Sequence, residues 1–300
     1  MDGNYDASNV YFNSDFVFTE AIGTVTIPSS GSKTVEAEGK NVQEFLASLF
    51  AAARDPIITA PSGSISFDGT AGSYEVGSLV TPKYKTTFDP GLYEFGPVTG
   101  ITATYAVIDS DGETNTAASG SMPQIEVTDT TKYNIGVVMT YTNGSIPVNN
   151  VGTAIPASQL IGSTISVATG NMVGYRAAFA GKDNTTGTLT SDLIRGLKCK
   201  IDSNASVNGF NYNTKKEIEL TADADTTRFI VAVHTDNTRA GLTSAIITSS
   251  MNADATKDYD YAENLVKVEG VNHYTADDYD VWVYQPAKIT EGETHKITLA

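Results

Sequence analysis

Between residues 40 and 56 the chain reads KNVQEFLASLFAAARDP, and its apolar positions recur with a helical period. Val42, Phe45, Leu46, Leu49, Phe50 and Ala53 follow the i, i+3, i+4, i+7, i+8, i+11 pattern and form one stripe. Asn41 is placed to cap the first turn, with Glu44 three residues on to close a capping box. Arg54 suits the negative end of the helix dipole, and Pro56 pushes Asp55 out of helical geometry. The pattern predicts one amphipathic helix over 41–54, packed on its own domain or on a second subunit.

Elsewhere the apolar period is two. Val10, Phe12, Phe16, Phe18, Val25 and Ile27 predict two short strands within 9–28, and Pro28 to Gly31 reads as a turn. From Ile57 to about Val167 the candidate strands are 63–68, 79–88, 101–109, 122–127, 133–142 and 160–168. Turn pairs separate them, among them Asp68-Gly69, Asp111-Gly112 and Asn143-Gly144. The Asp111-Gly112 pair after ITATYAVIDS predicts a hairpin. Short strands at this spacing predict an immunoglobulin-like sandwich.

A second β region begins near Gly170. SDLIRGL at 191–197 predicts a short helix capped by Ser191. Phe229, Val231 and Val233 alternate with Ile230 and Ala232, which predicts a strand buried on both faces. Tyr279, Val281 and Val283 share one strand face, and Trp282 and Tyr284 the other. Trp282 reads as core, with an aromatic platform for a sugar or a partner as the alternative. The expected class is mainly β: tandem immunoglobulin-like sandwich domains with an N-terminal strand and helix attachment region. The expected divisions are 1–56, 57–169 and 170–300, the first an attachment region, the second a sandwich and the third a C-terminal β domain.

Charge narrows the partners. The net charge is −16, which a phosphate backbone repels, and the densest basic run is only KKE at 215–217. No nucleic acid is expected. No run of about 18 apolar residues suggests a membrane span, and the start of the chain lacks a basic, then apolar, leader. Synthesis in a cytoplasm is the expectation. The single cysteine, Cys199, permits no intrachain disulfide and reads as structural, because His234, His273 and His295 cannot be set beside it from sequence.

Candidate chemistry is sparse. DSDGE at 109–113 resembles part of a calcium loop but lacks the regular acidic spacing and the distal Glu. The segments 254–261 and 276–280 are denser in acid. All three read as solvated acidic turns, with a cation shared between loops as the alternative. No metal ligand set is assigned, and no cofactor is expected. Glu217, Glu219, Glu263 and Glu269 could supply a glycosidase pair, but nothing in the sequence selects two of them. No catalytic residue is assigned, and the expectation is that the chain is not an enzyme. The sequons at 143–145, 184–186 and 204–206 matter only in a glycosylating compartment.

Several longer stretches are similar to a known group. They are VYFNSDFVFTEAIGTVTIPSSGSKTVEAEGKNVQEFLASLFAAARDP, YEVGSLVTPKYKTTFDPGLYEFGPVTGITATYAV, GYRAAFAG, SDLIRGL and NLVKVEGVNHYTADDYDVWVYQP. In this order the chain resembles tailed-phage virion structural proteins of gut-bacterial phages, crAss-like ones included, which form fibre or appendage components of head or tail. The resemblance covers nearly the whole chain and transfers no catalytic residue. It implies a virion location, self-association as a homodimer or homotrimer, and contact with capsid or fibre components, with a host-surface glycan as a further partner. It also answers why a β-rich chain carries one well-made helix: the helix would stiffen the junction between the attachment region and the projecting domains. The rival readings are a tail fibre or polysaccharide-binding or polysaccharide-degrading appendage, and a bacterial surface glycan-binding module.

Overall fold

A computed structural model describes residues 10–19, 33–50, 54–95, 102–141, 148–150, 153–155, 163–202, 205–214, 216–235 and 241–300. The chain is mainly β, with several open sheets among these residues.

The N-terminal unit is small. Strands β1 (Phe16–Phe18) and β2 (Lys33–Val35) pair antiparallel, Phe16 opposite Val35. Helix α1 (Val42–Phe50) follows and opens on the predicted capping box. The Glu44 N–H donates to Asn41 Oδ1 at 2.8 Å, and the Asn41 N–H donates to Glu44 Oε2 at 3.1 Å. Two of the four orphan donors of the first turn gain partners this way. Phe45 and Leu49 are buried with Ala37, and Phe12, Phe18 and Val35 pack around them. The rings of Phe12, Phe16 and Phe45 meet at 4.9–5.1 Å. The stripe therefore packs on its own N-terminal segment. The sequence stripe is wider than the buried face, because Leu46 is exposed. Arg54 lies beyond the described helix and binds Glu94 through both carboxylate oxygens, at 2.8 and 2.6 Å. Residues 51–53 and the expected strand at 25–27 lie outside the described residues.

In the next unit two sheets face one another. One contains β3 (Ser62–Phe67), β5 (Lys83–Asp89) and Ser119–Ser121, with β5 in the middle. The other contains β6 (Ala103–Asp109), β7 (Ile135–Tyr141) and β8 (Thr164–Ala168), with Thr114–Asn115 at its edge. Ile65 and Tyr84 from the first sheet meet Val107, Ile135, Val137 and Met139 from the second. The two sheets approach closely at Gly63, where a Cβ would come to 2.5 Å from Met139 Sδ. The predicted strand 79–88 is split at Pro82 into Leu79–Val80 and β5, because proline has no N–H for the ladder. The hairpin at Asp111-Gly112 forms, with Thr114 opposite Ile108 and Gly112 at φ +91°. The Asn143-Gly144 turn lies outside the described residues.

Strand β4 (Ser73–Glu75) pairs in parallel with β9 (Met172–Tyr175), which also pairs with Lys132–Tyr133. Met172 belongs to the same core as Tyr84 and Met139.

The C-terminal unit has three layers. Its middle sheet runs β10 (Phe179–Asp183), β12 (Arg228–His234), β15 (Asp277–Tyr284) and β14 (Tyr259–Val268). One face meets a sheet in which β11 (Glu217–Thr221), β16 (Thr294–Leu299) and β13 (Leu242–Ile247) are neighbours. Phe229, Val231 and Val233 pack there against Ile218, Leu220, Ile297 and Leu299. On the other face Ile230, Ala232, Tyr279 and Val281 lie beneath helix α2 (Ser191–Gly196) with Ile194 and Leu197. The two-sided burial of β12 follows the period read from sequence. The α2 cap is Thr190 rather than Ser191: Thr190 Oγ1 accepts from the Leu193 N–H at 3.2 Å. The Ser191 hydroxyl instead accepts from the Glu269 N–H at 3.1 Å, which ties the helix to the end of β14. Trp282 is half-buried against the core, its ring 5.5 Å from that of Tyr261.

Candidate functional site

The chain passes from β9 to β10 through Arg176, which sits in a network of polar contacts. The Arg176 side chain is only 5% exposed. Its Nε and Nη2 donate to the two oxygens of Asp129 at 2.7 and 2.8 Å, and Nη1 donates to the Thr275 carbonyl at 2.8 Å. The guanidinium stands 5.3 Å over the Tyr274 ring. A forked guanidinium matches a carboxylate in this way and a lysine would not. Asp277 follows, 3.9 Å from Arg176 and 3.1 Å from His234 Nε2. Burial pushes the Asp277 carboxyl up. The Asp278 N–H, His234 and Arg176 together outweigh that, and its pKa lies below the ordinary carboxylate value.

Two further ties cross the same junction. Arg195 on α2 donates to Glu75 Oε1 on β4 and to the Glu269 carbonyl, both at 2.7 Å. The loop after β14 reaches Val76 and Gly77: the Val271 N–H donates to the Val76 carbonyl at 2.8 Å, and Asn272 Nδ2 to the Gly77 carbonyl at 3.0 Å. Asn272 and His273 both sit in the left-handed region, at φ 53° and 59°. Such residues cost of order 1–3 kcal/mol each, so the loop holds this shape through what it grips. Gly77, at φ +86°, leaves room where a Cβ would strike the Val271 carbonyl.

Beside Arg176 is a cleft of about 250 Å³, lined by Asp129, Tyr175, Arg176, Asn211, Asn213 and His234. Arg176 and Asp129 neutralise one another, and Asn211 Oδ1 accepts from the Asn213 N–H at 3.0 Å. The cleft is polar: the Arg176 charge is paired with Asp129, and His234, 3.1 Å from Asp277, stands in its wall.

The acidic segments are held by hydrogen bonds and ion pairs, and residues 259–261 and 277–280 lie in strands β14 and β15 rather than in the expected turns. Asp109 Oδ1 accepts from the Asp111 and Glu113 N–H groups at 3.0 and 2.9 Å, and Oδ2 accepts from the Tyr133 hydroxyl at 2.6 Å. Burial, then the Asp109 hydrogen bond, pushes the Tyr133 hydroxyl pKa up. DSDGE is thus a stapled turn. Asp254 Oδ1 accepts from the Thr256 N–H at 2.9 Å, Asp278 pairs with Lys267 at 2.7 Å, and Asp280 accepts from the Tyr261 hydroxyl. Among the described residues no group of three His, Cys, Asp or Glu side chains is placed to hold a metal ion.

The other residues singled out from sequence are dispersed. Cys199 is buried in the C-terminal core. Glu217 pairs with Lys296 at 3.1 Å, and Glu219 faces outward on the same strand. Glu269, just past the C-terminal end of β14, is 2.7 Å from His273. The Glu263 side chain is outside the described residues.

One feature was missed in the sequence. His295 has no exposed surface; its Nδ1 lies 3.0 Å from the Tyr259 hydroxyl and its Nε2 2.9 Å from Glu293 Oε1. Its burial was signalled by the alternation of His295, Ile297 and Leu299. The N-terminal unit leaves Val10, Phe16 and Leu46 exposed, with Tyr11 at 62% and Val17 at 65%. Comparison with protein families and with curated proteins finds no match.

Proposed function

We propose that this chain is a non-enzymatic structural subunit of a phage virion, a head-fibre or appendage component that mounts through its N-terminal unit and projects immunoglobulin-like sandwich domains. The observation that carries the reading is the apolar surface of that unit. Among the described residues five large apolar side chains are exposed around a buried core of Ala37, Phe45 and Leu49. A two-stranded unit with one helix is marginal alone, and a surface of this kind is stabilised by covering it. Capsid or fibre proteins are the partners it suits.

The rest of the molecule supports a passive, stiff role. Each larger unit has a pair of sheets facing across a core, as a sandwich does. The Arg176, Arg195 and Asn272 ties brace one unit against the next. An appendage that transmits force needs such a junction, whereas a closing active site needs a hinge. A second reading, contact with a host-surface glycan, draws on the polar cleft with Tyr175, Asn211 and Asn213.

The test is a chain beginning at Ile57, assayed for joining particles. It should fold, stay soluble and fail to join. A truncated chain that still joins would move the attachment surface elsewhere. One that aggregates or melts far below the full chain would make the N-terminal unit part of a larger core.

A further inference from the structure

The middle sheet of the C-terminal unit has two ends. At one, His234 on β12 and Asp277 on β15 stand beside Arg176 and the brace. At the other, Arg228 lies opposite Asp183, and Phe229 opposite Tyr284. The loops that leave Asp183, enter Arg228 and leave Tyr284 therefore meet there, about 20 Å along the seven-residue β12 from the brace. They enclose a cavity of about 600 Å³, against about 250 Å³ for the cleft beside Arg176. Thr186, Asp225, Thr226, Gln285, Lys288 and Ile289 stand in its wall.

The three loops are fixed to their surroundings before anything binds. Thr226 Oγ1 accepts from the Asp223 N–H at 2.8 Å, and the Thr227 hydroxyl donates to the Thr185 carbonyl at 2.9 Å. The Ala222 N–H donates to the Glu293 carbonyl at 2.8 Å, and the Gly292 N–H returns to the Ala222 carbonyl at 3.0 Å. Arg228, where the second loop enters β12, donates from Nε to Asp183 Oδ2 at 2.8 Å. Walls held this way lose little freedom on binding. Four side chains of the wall are not used by the fold. Among the described residues the Thr186, Asp225, Gln285 and Lys288 side chains make no hydrogen bond or ion pair. They offer a hydroxyl, a carboxylate, an amide and an ammonium group, donors and acceptors together.

We propose that this cavity binds the end of a neutral saccharide chain. A sugar ring carries hydroxyls that both donate and accept, and a C–H face without charge. Asp225 accepts from hydroxyls, Lys288 donates to them and Gln285 does both. Pro286 and Ile289 supply apolar surface for the C–H face. The volume falls within the ~300–1,000 Å³ of pockets that enclose a small ligand. Pockets for apolar ligands are lined mainly by hydrophobic and aromatic side chains, and among the described residues this wall has no aromatic ring. Charge narrows the class further. Asp225 and Lys288 offset one another, and the net charge of −16 repels an acidic sugar. The inference rests on the glycan-contact reading but places the contact at the opposite end of the sheet from the Arg176 cleft.

Saturation-transfer NMR of the full chain with neutral trisaccharides of glucose, galactose, mannose and N-acetylglucosamine tests it. Reversible binding of at least one is expected. Gln285→Ala and Asp225→Ala should each weaken that binding at least about fivefold. Thermal melts of both variants should match the wild type, because neither side chain is bonded within the fold. Asn213→Ala, in the cleft beside Arg176, should leave binding unchanged. Binding lost with Asn213→Ala and kept by the other two variants overturns the inference and leaves the glycan reading in the Arg176 cleft. Binding that survives all three substitutions overturns the inference equally. A chain that binds none of the trisaccharides overturns the inference and the glycan reading together.

Discussion

His295 is a titratable group set among aromatic rings. The rings of Tyr284, Phe229 and Tyr259 lie 4.6, 4.8 and 5.8 Å from the imidazole. Burial lowers its pKa, and the carboxylate of Glu293 only partly offsets this. The groups facing it are thus one carboxylate and two phenols, and burial pushes the phenol pKa values up. The folded chain then binds fewer protons here than the unfolded chain, whose imidazole titrates near ~6.5. The stability gained is complete above that value and is lost as pH falls through it toward the lower folded pKa. Urea midpoints of the wild type should decline below about pH 6.5, and His295→Gln should flatten that part of the profile. An unchanged slope in the variant would show that the proton is taken up elsewhere. The alternation of HKITLA made the burial of His295 legible in sequence. Its partner Tyr259 was not legible, because it lies on another strand.

Among the elements, α1 shows what a local pattern encodes. The capping box involves residues three apart, so its chemistry is written in adjacent letters and the structure reproduces it. The packing partner was not written there. Phe12, Phe18 and Val35 come from separate segments, and the stripe alone left a second subunit open as the alternative to its own domain. Burial of Phe45 and Leu49 stabilises the unit by roughly 3–6 kcal/mol gross. Leu49→Asp removes much of that and buries a charge among aromatic rings, costing at least about 3 kcal/mol. The N-terminal unit should then lose its hydrogen-exchange protection while the two larger units keep theirs. Monomers released from an oligomer, with α1 still protected, would place the stripe's partner in another chain. The junction shows the opposite limit. Arg176 reaches Asp129 across 47 residues and Thr275 across 99, so no window of sequence displays the brace.

At the scale of the molecule, the β-rich character was legible because period-two alternation and turn glycines are local signals. β12 gave its two-sided burial directly, since both of its faces are apolar. How the sheets face one another was less legible, because contacts such as Gly63 against Met139 depend on long-range closure. The acidic clusters left a shared cation open as the alternative for a related reason. Sequence shows a carboxylate but not the backbone N–H groups that Asp109 and Asp254 already bind.

The central proposal, a structural subunit built into a particle, is tested most directly by locating the chain. Particles purified by density from the lysate in which the chain is made should contain its peptides by mass spectrometry. The ratio to the major shell protein should be fixed, and immunogold label should fall at a constant position on each particle. A chain that remains in the soluble or host-envelope fraction, with the particles free of label, would contradict the account.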